Sequence, residues 1–127
     1  MKLRQGLFSI LIAISSESSA TQQPDASQLF LQCRQAINIL DKSKETTLSE
    51  LFQAQSCLSY LQGFQNGYQT GLKLAHKPQS NCLPKDITTL DVAKLYTTHL
   101  ENYPYQRHQH PTTVLILAIE QKYPCKN

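Results

Sequence analysis

The four cysteines of this 127-residue chain offer the widest choice of chemistry. Cys33, Cys57, Cys82 and Cys125 could serve as nucleophiles, as metal ligands or as two disulfides. No two of them form a C-x-x-C pair, so zinc-ribbon and thioredoxin-type chemistry is excluded. A nucleophilic cysteine must be a free thiolate beside a base. An even count in a chain with a secretory N-terminus is better used in bridges. Other catalytic patterns are missing too: there is no G-x-S-x-G, P-loop, dinucleotide fingerprint or H-E-x-x-H. Asp86 and Asp91 flank a helix start, where carboxylates serve capping and the helix dipole. The chain reads as non-enzymatic, with no cofactor.

His108-x-His110, with His99 upstream, could in principle ligate zinc or copper. Such a site needs further ligands, and cysteines locked in bridges cannot supply them. Solvated loop histidines are the commoner case, so no metal is assigned. Tyr103, Tyr105, Arg107 and His108 point elsewhere. Tyrosine and arginine are enriched at protein-binding hot spots, which makes these four the candidate partner-binding residues. An ordinary polar turn would have the same composition.

These residues are positioned by a pattern of helices. Ala26, Leu29, Phe30, Cys33, Ala36, Ile37 and Leu40 fall on one face of an amphipathic helix. Asp41 to Thr46 is polar and reads as a turn. Thr47 and Glu50 match a capping box that opens a long helix to about Ala75. Within it, Gly63, Gly67 and Gly71 line up at four-residue spacing, next to a stripe of Leu58, Leu61, Tyr68 and Leu72, and Tyr60 joins the glycines as a helix-packing residue. Each interior glycine costs roughly 1 kcal/mol relative to alanine. The expectation is a second helix packed on the glycine groove, making this the central core helix. Gln62, Gln65, Asn66 and Gln69 exclude a transmembrane version of that motif.

The segment His76 to Asp86, with two prolines and Cys82, reads as a loop. Thr88 and Asp91 cap a third helix, which Tyr103-Pro104 ends. Tyr105 to His110 reads as a second loop. Pro111 suits the first position of a fourth helix. Its core, Val114 to Ile119, could equally be a buried strand by periodicity, but the proline start and the polar residues that follow favour helix. The predicted fold is all-α, a small bundle of about four helices in two disulfide-stapled hairpins. Cys33 and Cys57 are equidistant from the first turn, and Cys82 and Cys125 from the start of the second connection. That symmetry selects Cys33–Cys57 and Cys82–Cys125.

Residues 1–20 resemble a secretory signal: Lys2 and Arg4, a short apolar run, then Ser18-Ser19-Ala20. This leaves residues 21–127 as a single domain in an oxidising compartment, with no membrane segment after cleavage. The formal net charge of +3 is mild, and no Lys/Arg cluster suggests nucleic acid.

Several residues together carry a family likeness. They are Cys57-Leu58-x-Tyr60-x-x-Gly63 with Gly67, Cys82-x-Pro84 before a threonine-capped helix, Leu100 with Pro104, and Tyr123-Pro124-Cys125. On these, spread from about Cys33 to Cys125, the chain resembles the periplasmic immunity proteins of type VI secretion amidase effectors (the Tai family). The resemblance implies a small helical, disulfide-bonded protein, often a homodimer, that resides in the periplasm. It also implies that the protein binds and blocks a secreted cell-wall amidase delivered by neighbouring cells. The matched positions are fold determinants, so no partner-binding residue carries over. The alternative is a general periplasmic binding or acid-stress chaperone-like protein without an amidase partner, in which the four histidines would support a pH response.

Overall fold

The computed structural model describes residues 24–42, 45–76 and 83–124. They form α1 (Ala26–Lys42), α2 (Leu48–Leu74), α3 (Thr89–Asn102), a 3-10 turn (Pro104–His108) and α4 (Pro111–Lys122). The all-α expectation holds: four helices are present and none of the described residues is in a strand. None of these helices is long and apolar enough to cross a membrane. The proposed signal segment, Cys82 and Cys125 lie outside the described residues.

Local chemistry sets the helix boundaries. The Asp25 carboxylate accepts from the Gln28 N–H at 2.9 Å at the start of α1. Thr47 and Glu50 form the full capping box of α2, and Thr88 and Asp91 that of α3. Hydrogen bonds from the Thr88 hydroxyl and backbone hold the Asp91 carboxyl below its ordinary range. Pro104 stops α3, with Tyr103 as its C-cap. Pro111 opens α4, and the 114–119 run is helical, burying Val114, Leu115, Ala118 and Ile119.

The hub of the core is α1, and here the structure corrects the expectation of a central α2. Helix α1 packs on α2, α3, the 3-10 turn and α4. Its apolar stripe, Ala26, Leu29, Phe30, Cys33 and Ala36, is buried throughout. Cys33 is bonded to Cys57, the pairing expected for the first hairpin. Ala36 and Ala54, the next pair in that register, are both buried. Extended the other way, the same register sets the start of α1 against Phe64.

Beyond that point α2 has no α1 beside it. A 27-residue helix is about 40 Å long, and its last third outruns its partner. Buried positions in α2 stop at Leu61. Gly63, Gly67 and Gly71 are exposed, and a Cβ at any of them would meet nothing within 4 Å among the described residues. Among the described residues, then, no helix packs over the glycine groove. Tyr60, grouped with the glycines as a packing residue, does pack: it is half-buried against the core, and its hydroxyl is 3.0 Å from that of Thr112 on α4.

Candidate functional site

The connection from α3 to α4 is a rigid piece rather than a free loop. Its geometry begins at Ala26, the first residue of α1. The Ala26 N–H, one of the donors a helix start leaves unpaired, donates to the Gln109 carbonyl at 3.0 Å. The Ala26 carbonyl accepts from the buried Tyr96 hydroxyl at 2.9 Å. Burial pushes the Tyr96 phenol well above its ordinary value, so it stays a neutral donor. One residue thus ties α1 to α3 and to the end of the turn.

Gln106 is the pivot of the turn itself. It is buried, and its side-chain oxygen is 2.8 Å from His99 Nε2 on α3. The ring nitrogen donates there, since an amide oxygen can only accept. His99 in turn packs on Tyr103 at 4.8 Å between ring centroids, and Tyr103 meets Tyr105 edge-on at 6.2 Å. Gln121 of α4 donates to the Tyr103 hydroxyl at 2.8 Å. At the far end, His110 Nδ1 accepts from the Thr112 N–H and so caps α4.

Of the four residues singled out for partner binding, Tyr105 is 69% exposed and His108 is also exposed. Tyr103 and Arg107 are half-buried and mainly internal. The Arg107 guanidinium lies over the Phe30 ring, 4.4 Å from its centroid. Its Nε is buried without a hydrogen-bond partner among the described residues. Sequence reasoning missed Gln106, because a glutamine between Tyr105 and Arg107 carries no periodic or motif signal. Phe30 was visible only as one more apolar position on α1.

The three histidines near the turn do not converge. His99 is engaged by Gln106, His110 caps α4 and His108 faces solvent. Among the described residues no group of three or more His, Cys, Asp or Glu is placed to hold a metal. What the site offers is a braced surface: two exposed side chains with a cation seated on an aromatic ring beside them. Such a surface suits recognition of another macromolecule.

The comparison with known families agrees with that description. Residues 25–125 match the family of Rap1a immunity proteins. The match spans all four helices, and the chain belongs to that family. It is therefore placed among proteins whose role is to bind a partner effector protein. No curated protein and no solved structure matches the chain.

Proposed function

We propose that this chain is a periplasmic immunity protein that binds and inhibits a cell-wall (peptidoglycan) amidase effector of a type VI secretion system. It acts stoichiometrically and without catalysis. Membership of the Rap1a immunity family carries the proposal, and the braced Pro104–His108 turn supports it. Blocking an amidase requires a rigid feature that covers or enters the active-site cleft. A turn tied to α1, α3 and α4 meets that need with little ordering cost on binding. Residues 1–20 supply export, and homodimerisation belongs to the same proposal.

The test is capture of partners from periplasmic extract on the tagged, processed protein, with identification by mass spectrometry. Purified amidase is then assayed on peptidoglycan with increasing amounts of the protein. Hydrolysis should fall to zero at a fixed molar ratio. An amidase that turns over unhindered at excess protein, or a preparation that retains no protein, contradicts the reading. Sedimentation of the free protein tests the dimer separately.

A further inference from the structure

Phe30 is flanked by guanidinium groups from two different elements. Arg107 reaches it from the 3-10 turn at 4.4 Å, and Arg34, one turn along α1, lies 5.7 Å from the same centroid. Each contact is favourable alone, since a cation is attracted to the face of an aromatic ring. Together they hold two like charges at one place. Neither arginine makes an ion pair among the described residues. Of the two carboxylates that line the surface groove with Arg34, Asp41 is paired with Lys94 at 2.9 Å and Glu101 pairs with neither arginine. The buried Arg107 Nε adds a donor without an acceptor. Among the described residues neither guanidinium is matched by a carboxylate, which leaves the terminal nitrogens able to take an acceptor from a partner.

We propose that Arg34 and Arg107, seated on Phe30, form a carboxylate-binding anchor for an acidic segment of the partner protein. The inference rests on the effector-binding reading and names the chemistry of the segment that docks. A guanidinium matches a carboxylate with two parallel N–H donors, and contact with the ring orients the fork in advance. Leu31, 57% exposed, lies between Phe30 and Arg34 in the sequence of α1 and supplies an apolar neighbour. Tyr105 and His108, on the same turn as Arg107, are exposed as well. The fitting segment therefore carries an aspartate or glutamate beside an apolar side chain.

The test follows the arginine Nε–Hε NMR signals of the purified protein during titration. The probe is the blocked dipeptide acetyl-Asp-Glu-amide, with acetyl-Asn-Gln-amide as its uncharged counterpart. The Arg34 and Arg107 signals should shift saturably with the acidic probe and barely with the amide. Arg34→Gln, at an exposed position, should weaken the acidic probe by about fivefold or more. Arg107→Lys keeps the charge and loses the fork, and should weaken it as well. Signals that stay still, or that respond equally to both peptides, overturn the anchor. With the effector in hand, Arg34→Glu should lower its affinity by about tenfold or more. Equal binding of the effector by wild type and Arg34→Glu overturns the anchor and leaves the immunity reading intact. An effector that binds neither protein, while the peptide titration succeeds, overturns the immunity reading alone.

Discussion

Gly63, Gly67 and Gly71 stand in regular register along α2 and touch nothing among the described residues, whereas the irregular stretch from Tyr103 to His110 is tied to three helices. Spacing states which side chains share a face. It does not state whether anything covers that face. Among the described residues the glycine face lies open because the Cys33–Cys57 register ends α1 near the level of Phe64 and α2 continues without it. The turn is rigid for a reason with no repeat in it: single polar contacts from Gln106, Gln109 and Gln121 each reach a different element.

The largest expected effect is on the covalent side of this contrast. Replacing Cys33 and Cys57 together with serine should lower stability by about 2–4 kcal/mol, read from the denaturant midpoint. The loss should be felt across α1 and the first half of α2, and hydrogen exchange beyond Phe64 should change least. Uniform loss of protection along α2 would mean that the overhang is part of the core.

Next comes the turn. Gln106→Leu removes the partner of the buried His99 and should cost about 1–3 kcal/mol. A thermal midpoint unchanged from wild type would show that the turn is held by something else. On the open face the sign reverses. Gly67→Ala should stabilise by about 1 kcal/mol, because the site is an exposed helix interior with room for a Cβ. Destabilisation there would reveal a covering partner, as the glycine spacing alone had suggested.

How much was legible follows the same division. The capping boxes at Thr47 and Thr88, the stop at Tyr103-Pro104 and the start at Pro111 were readable because each is set by residues within three or four positions. The Cys33–Cys57 bridge was readable because a hairpin makes equidistance from the turn a geometric rule. Gln106 and the Arg34–Phe30–Arg107 cluster were not, since they exist only once α1 and the turn have met. The glycine spacing was legible but not its covering: among the described residues nothing packs there, and the helix-propensity penalty is carried by packing elsewhere.

The smallest effect is a pH dependence confined to the α3 cap. The Asp91 carboxyl is held low in the folded protein, so its contribution is present above the unfolded value of about 3.9 and is lost as pH falls through the folded value. Asp91→Asn should lower stability near neutrality and flatten the acid portion of the curve, so that variant and wild type converge at low pH. An unaltered acid slope would remove the Thr88–Asp91 cap from the account.

The central claim is that the turn, rather than the glycine face, meets the effector. The most direct measurement is inhibition of the amidase on peptidoglycan by three proteins: wild type, Tyr105→Ala/His108→Ala and Gly63→Gln/Gly67→Gln. Hot-spot truncation costs about 1 kcal/mol or more per residue, so the turn variant should lose about tenfold or more in potency. The glycine-face variant should inhibit as wild type does. Full potency in the turn variant together with loss in the glycine-face variant would contradict the account.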